Sequence, residues 1–198
     1  MHLYSYTGIY ILYNRYMEKV NIDENIIVIK NFISKEECEL IIRAAELCSQ
    51  SDWDIYTNSK RDSKNEWSDR ILEFKKAKNF DDSTKKIIDD IFLRLQSFLN
   101  NHYEFNYQYS EMFAIYRTKT NQRMKVHFDQ GGDSKVKYGA VLYLNENYDG
   151  GEIYYPNVNI KIKPQCGDLV VHPTDLKYSH GVKTVKSGTR YCTTTFLF

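Results

Sequence analysis

Proline and glycine are scarce in this chain, three and nine in 198 residues, whereas aromatic residues make up 15% of it, with 17 tyrosines among them. That balance excludes a disordered or low-complexity polymer, because so many large side chains can bury enough surface to offset the entropy of ordering. Neither sign of charge dominates: Lys and Arg number 27 against 26 Asp and Glu. A formal charge of +1 exerts no global pull toward nucleic acid or an anionic membrane. No stretch approaches the roughly 20 apolar residues of a membrane span. The N-terminus has neither the basic start nor the long apolar core of a secretion signal. None of Cys38, Cys48, Cys166 and Cys192 sits in a Cys-x-x-Cys pair, so zinc-knuckle and thioredoxin-like motifs are missing and reduced thiols are expected. Repeats and flexible linkers are missing too. A soluble cytoplasmic protein without a membrane partner is expected.

The length suits one domain. Residues 1–20 hold Tyr4, Tyr6, Tyr10, Tyr13 and Tyr16 but no trustworthy period. They read as a Tyr-rich extension that is poorly ordered, or as sequence upstream of a start at Met17. Residues 21–198 read as the domain, with helical support over 34–100 and a strand-rich core over 102–198. The run Ile26–Ile29 predicts a buried strand. Ser34 with Glu37 three residues on is a capping box, and Cys38, Ile41, Ile42, Ala45 and Cys48 recur at helical spacing. Residues 49–70 are polar, interrupted by Trp53, Ile55, Tyr56 and Trp67, and a loop that long is often functional. A second helix is predicted after Asp81-Asp82-Ser83, ending near Asn100-Asn101.

Beyond it the period changes from 3.6 to 2. Tyr103, Phe105, Tyr107 and Tyr109 alternate, and strands are predicted at 112–116, 124–129, 138–144, 152–155, 158–162, 169–172 and 190–197. The pattern is mainly β, an α+β arrangement. A sandwich, jelly roll or barrel with the N-terminal helices on one sheet satisfies it.

His127-Phe128-Asp129 puts an imidazole and a carboxylate on one face of a predicted strand, about 6–7 Å apart along the backbone. Alone that pattern is common. With His180 on a later strand, two His and one carboxylate can occupy one face of an octahedron, the arrangement that suits non-haem Fe(II). Arg190, ten residues on, can hold a carboxylate through paired hydrogen bonds.

At these residues the chain resembles the 2-oxoglutarate- and Fe(II)-dependent dioxygenases, in particular the prolyl 4-hydroxylase-like branch. The likeness extends over residues 26 to 198. It includes IIVIKNFISKEECELI, Val141-Leu142-Tyr143-Leu144-Asn145 and Gly150-Gly151-Glu152 before Tyr155-Pro156-Asn157. Lys163-Pro164 with Cys166-Gly167-Asp168-Leu169-Val170, and His180-Gly181-Val182 with Gly188-Thr189-Arg190-Tyr191, complete it. The resemblance implies a double-stranded β-helix, the cupin-like jelly roll. It implies His127, Asp129 and His180 as iron ligands, and Arg190 as partner of the distal carboxylate of 2-oxoglutarate. Tyr143 and Tyr116 match active-site tyrosines that contact the cosubstrate. His172 is assigned a packing or loop role, His102 a place at a helix end, and Cys192 and Thr194 the strand face of Arg190.

The implied reaction consumes Fe(II)-bound 2-oxoglutarate and O2, releases succinate and CO2, and hydroxylates an unactivated C–H, with ascorbate as a candidate reductant. The leading substrate is peptidyl proline, converted to 4-hydroxyproline. Another protein residue, a free amino acid or a small metabolite stays open, since fold and iron chemistry do not choose a substrate. The segment Trp53–Arg70, with Tyr56, Arg61 and Trp67, could fold over a peptide or be a solvated loop. The basic residues from Arg117 to Lys137 could steer an acidic partner or be a solvated face. Two rival classes are a nucleic-acid dealkylase, disfavoured by the near-zero charge, and a non-enzymatic jelly-roll binding or capsid-associated protein. Lys outnumbers Arg 19 to 8, which fits an AT-rich genome such as that of a virus, phage or low-GC bacterium. A viral source would put the protein in the host cytoplasm.

Overall fold

The computed structural model describes residues 17–55, 69–71, 80–103, 114–130 and 135–197. In chain order, strands β1 (Glu18–Asn21) and β2 (Ile27–Lys30) are followed by helix α1 (Lys35–Glu46). Two short strands, β3 (Asp54–Ile55) and β4 (Asp69–Ile71), precede helix α2 (Asp82–Tyr103). The rest is β: β5 (Ala114–Lys119), β6 (Met124–His127), β7 (Tyr138–Tyr143), β8 (Asp149–Gly150) and β9 (Ile153–Tyr155). Then come β10 (Ile160–Ile162), β11 (Leu169–Pro173), β12 (His180–Val182), β13 (Val185–Ser187) and β14 (Thr189–Leu197).

Eight strands form a major sheet in the order β1-β2-β11-β7-β14-β5-β4-β3, four form a minor sheet, β10-β9-β12-β6, and β13 pairs with β8. Every pairing among the described residues is antiparallel. This is the jelly roll with helices on one sheet that the sequence implies.

The two-residue period of the major sheet sorts its side chains between two cores. Ile27 and Ile29 of β2, Ala140 and Leu142 of β7, Leu169 and Val171 of β11 and Leu197 of β14 pack with the helices, against Ile41 and Ala45 of α1 and Ile88, Ile91, Leu95 and Leu99 of α2. The intervening residues Val28, Val141, Tyr143, Val170 and Cys192 face inward with Ile153 and Tyr155 of the minor sheet. Each buried Ile or Leu contributes about 1.5–3 kcal/mol relative to exposure, so the helices are held mainly by this layer.

Local chemistry sets the helix ends. The Ser34 hydroxyl accepts from the Glu37 N–H at 3.2 Å, and the Glu37 carboxylate accepts from the Ser34 N–H at 2.9 Å, the reciprocal cap expected from sequence. Asp81 accepts from the Thr84 N–H at 2.7 Å and starts α2. That helix runs past Asn100-Asn101 to Tyr103, because His102 stacks on Phe98 one turn earlier with ring centroids 5.7 Å apart. The alternation predicted to begin at Tyr103 therefore starts inside a helix, and 104–113 lie outside the described residues.

Other boundaries also shift. Residues 18–20, expected within the N-terminal extension, belong to β1, where Glu18 pairs with Lys30; residues 1–16 lie outside the described residues. The strand predicted from Val158 begins at Ile160, since Pro156–Val158 form a 3₁₀ turn closed by Asn159 at φ 54°. Strands β3, β4, β8 and β13 are too short to leave a periodic signal. In the segment read as a loop, Trp53 is buried and the Arg117 guanidinium lies 3.9 Å from its ring centroid. Arg117 also bonds Glu46 at 3.1 Å, so it is a buried anchor rather than part of a solvated basic face. Tyr56, Arg61 and Trp67 lie outside the described residues.

Ile91, fully buried in α2, and Leu93, 61% exposed two residues later, test this packing. Ile91→Ala should cost about 2–5 kcal/mol of stability in urea unfolding, whereas Leu93→Ala should change it by less than about 0.5 kcal/mol.

Candidate active site

Strand pairing brings together residues that lie 53 positions apart in the chain. His180 opens β12 and stands directly opposite His127, the last residue of β6. Asp129 follows two residues after His127. The His127 Nε2 lies 3.4 Å from one Asp129 carboxylate oxygen, and the His180 Nε2 lies 3.6 Å from the other. One donor atom from each of the three residues falls within 4.8 Å of the others. A metal with bonds of about 2.1 Å at right angles needs donor atoms about 3 Å apart, and the two His–Asp separations lie within about 1 Å of that.

Each imidazole is oriented from behind. The His127 Nδ1–H donates to the Lys125 carbonyl at 2.8 Å, and the His180 Nδ1–H donates to the Tyr178 carbonyl at 3.2 Å. That assignment leaves both Nε2 lone pairs directed at Asp129, as in metal-binding histidines whose other ring nitrogen is held by a carbonyl. Burial pushes the His180 pKa down to about 3, with His172 acting in the same direction, so its imidazole is neutral. Burial also disfavours charged His127, but bonding to Asp129 and the carboxylate's charge outweigh it and raise its pKa. Burial opposes ionisation of Asp129 too, yet His180 and His127 hold its carboxyl well below the usual range. Two imidazoles and an ionised carboxylate, buried and convergent, fit a divalent cation.

The cavity beside the three residues offers about 60 Å³ to water. Its walls include Tyr116, Met124, Ile153, Arg190, Cys192 and Thr194. Arg190 is 2% exposed. Its Nη1 donates to the Cys192 Sγ at 3.2 Å, and its Nε has no partner. Burial disfavours its charge, but Cys192, Tyr143 and Tyr148 offset this and the guanidinium stays protonated. Among the described residues no carboxylate bonds it. A buried cation lining a cavity, with no carboxylate on it among the described residues, fits an anionic ligand.

Tyr143, at the end of β7, is fully buried with the Arg190 guanidinium 4.8 Å from its ring centroid and its hydroxyl unpartnered. It is placed by the turn before β11, where its N–H donates to the Asp168 carbonyl and its carbonyl accepts from the Gly167 N–H. Tyr116 and Tyr143 both flank Cys192 across β14. Of the six residues singled out from sequence, His127, Asp129, His180, Arg190 and Tyr116 line this one cavity, and Tyr143 packs behind Arg190.

The structure adds three residues. His172 is fully buried and packs on His180, ring centroids 4.3 Å apart, with Nδ1 3.1 Å from the Pro173 carbonyl and Nε2 unpartnered. It packs as expected, but against the metal-binding cluster itself. Tyr155 lies 5.6 Å from His180 by ring centroids, with a buried unpartnered hydroxyl. Tyr148 brings a second such hydroxyl, after that of Tyr143, to the neighbourhood of Arg190. Among 17 tyrosines, nothing in the sequence separates these from core residues.

Metal affinity should fall as pH drops through the raised His127 pKa, by roughly tenfold per unit, because the His127 proton competes directly. Mn(II) titrations at successive pH values check this. His127→Ala or Asp129→Ala should cost more than the roughly 10–100-fold typical of losing a group that only orients a metal ligand. His172→Phe, which keeps the ring, should not.

Comparison with known proteins agrees with this geometry. Residues 112–198 match the model of the 2OG-Fe(II) oxygenase superfamily. Over 58 residues the chain is 40% identical to prolyl 3-hydroxylase 1 of Homo sapiens and 38% identical to prolyl 3-hydroxylase 2 of Mus musculus, covering 27% of this chain. The chain matches only 8% of the length of each. Among solved structures, viral collagen prolyl hydroxylase from Paramecium Bursaria Chlorella virus-1, as its 2OG complex, aligns with a TM-score of 0.63. It shares 20% identity, over 92% of this chain and 95% of that one. A Trichoplax adhaerens prolyl hydroxylase in complex with a hypoxia inducible factor peptide fragment gives 0.65 at 18% identity, covering 88% and 83%. A Pseudomonas putida prolyl-4-hydroxylase gives 0.61 at 17%, covering 87% and 91%. His127, Asp129 and His180 thus cluster inside the region, residues 112–198, that is similar to the 2OG-Fe(II) oxygenase superfamily, and the chain is prolyl 4-hydroxylase-like in fold.

Proposed function

We propose that this protein hydroxylates peptidyl proline, forming 4-hydroxyproline, with His127, Asp129 and His180 holding Fe(II). The observation that carries the reading is the pairing, in one cavity, of that cluster with the buried unneutralised guanidinium of Arg190. Fe(II) with 2-oxoglutarate and O2 supplies the oxidising power, so that a substrate C–H becomes C–OH as the keto acid becomes succinate and CO2.

The chain's own residues do the positioning. The carbonyls of Lys125 and Tyr178 keep the Nδ1 protons in place and both Nε2 atoms free for the metal. Arg190 holds the distal carboxylate of the cosubstrate, with Tyr143 donating its hydroxyl. Tyr116 lines the space between these groups. Met124, Ile153 and Val182 in the cavity wall exclude water from the reacting carbon. A peptide as substrate is supported by the Trichoplax neighbour, whose complex holds a peptide fragment.

A second reading, hydroxylation at the 3-position of proline, is favoured by one observation. The curated relatives with 36–40% identity are prolyl 3-hydroxylases. The two readings differ only in which ring C–H faces the metal.

The assay combines Fe(II), 2-oxoglutarate, ascorbate and a panel of proline-containing peptides. Peptide-dependent succinate, with one oxygen atom's mass gained on proline, is expected. Amino-acid analysis of the product then separates 4- from 3-hydroxyproline. Succinate formed without peptide oxidation would move the substrate away from peptidyl proline, and unchanged succinate formation in His180→Ala would remove the proposed metal site.

A further inference from the structure

Tyr148 lies in the connection between β7 and β8, and its side chain is held from several sides. The Lys163 ammonium sits 3.8 Å from its ring centroid and donates to its carbonyl at 3.0 Å and also to the Gly150 carbonyl. Gly151, at φ 65°, lies against the ring edge, where a Cβ would come within 2.9 Å of the ring. Gly188, at φ 78°, lies against the Tyr148 main chain, where a Cβ would meet the Cα at 3.1 Å. Asn145 ties the same connection to the start of β14, donating to the Thr189 carbonyl and accepting from the Tyr191 N–H, each at 2.8 Å. These contacts fix the ring beside Arg190.

The ring's position is accounted for by packing, but its hydroxyl is not. The oxygen is buried without a hydrogen-bond partner among the described residues, in a residue 7% exposed. A phenylalanine would fill the same space without the cost of an unpaired buried hydroxyl. Tyr148 and Tyr143 both lie close enough to Arg190 to feel its charge, and the Tyr143 hydroxyl and the Arg190 Nε are unpartnered as well. Burial raises the Tyr148 pKa, so the phenol keeps its proton and remains a donor. The Arg190 Nη1 donates to the Cys192 Sγ, but its Nε and the two hydroxyls, on three side chains in one neighbourhood, have no acceptor among the described residues. A carboxylate, with two oxygens and about four lone-pair sites, can satisfy them together.

We infer that the Tyr148 hydroxyl is a third donor to the distal carboxylate of 2-oxoglutarate, alongside Arg190 and Tyr143. The inference rests on the cosubstrate role proposed above for Arg190. It makes Tyr148 a binding residue and the β7–β8 connection part of the cosubstrate pocket.

The test is calorimetric titration of Mn(II)-loaded wild type and Tyr148→Phe with 2-oxoglutarate, and with 2-oxopentanoate, which lacks the distal carboxylate. Loss of one charge-assisted hydrogen bond should weaken 2-oxoglutarate binding about 10- to 100-fold in Tyr148→Phe and leave 2-oxopentanoate binding unchanged. Thermal unfolding without ligand should show the variant at least as stable as wild type, because an unpartnered hydroxyl has been removed. Equal 2-oxoglutarate affinity in the two proteins, or equal weakening for both acids, would overturn the inference. So would a lowered unfolding temperature without a selective loss of 2-oxoglutarate binding, the mark of a packing residue. Failure of the wild type itself to prefer 2-oxoglutarate over 2-oxopentanoate would instead strike at the role of Arg190, and with it at the ground of this inference.

Discussion

The major sheet has to serve two unlike faces with the same strands. One face must be apolar, because α1 and α2 cover it, and the other carries Arg190, Cys192 and Thr194 from a single strand. Alternation makes this possible, and register makes it obligatory. A slip of β14 by one residue would turn Arg190 toward the helix-covered face and Leu197 into the cavity. The pairings of Cys192 with Tyr116 on one side and Tyr143 on the other hold β14 in place. A similar constraint acts in the minor sheet, where the His180–His127 pair sets the separation of the two imidazoles.

Charge of opposite sign is kept at the two ends of one small cavity. At one end Asp129 is ionised among imidazoles; at the other Arg190 is protonated with no carboxylate partner among the described residues. Interactions at this depth are weakly screened, so each end prefers a ligand of opposite charge. A divalent cation suits the first and a carboxylate the second. A dianion that chelates the metal at one end and reaches the guanidinium at the other satisfies both, which is the physical content of the cosubstrate proposal. The buried unpartnered hydroxyls of Tyr143 and Tyr148 belong to the same balance, since they are costly alone and favourable beside an anion.

Long periodic elements were legible in the sequence. The capping box at Ser34 and the apolar stripe of α2 act locally, and the structure contains both. His127-x-Asp129, His180 and Arg190 were legible through residue type, order and spacing. Less was legible where long-range contact decides the outcome. Strands β8 and β13 exist only because they pair with each other. Arg117 looked like one of a run of basic surface residues until Trp53 and Glu46 proved to enclose it. Tyr148 and Tyr155 were indistinguishable from core tyrosines, because the absence of a partner for a hydroxyl is a property of the surroundings.

The sequence by itself determined the fold class, the helix starts and the residue types available for metal and carboxylate binding. Periodicity, capping and donor chemistry are properties of a few neighbouring residues. The tertiary structure decided which atoms converge. Strand register set His180 opposite His127, packing left Arg190 without a counter-ion among the described residues, and a lysine with two glycines fixed one tyrosine among 17 beside it. Those outcomes depend on pairings between distant segments, and no local pattern encodes them.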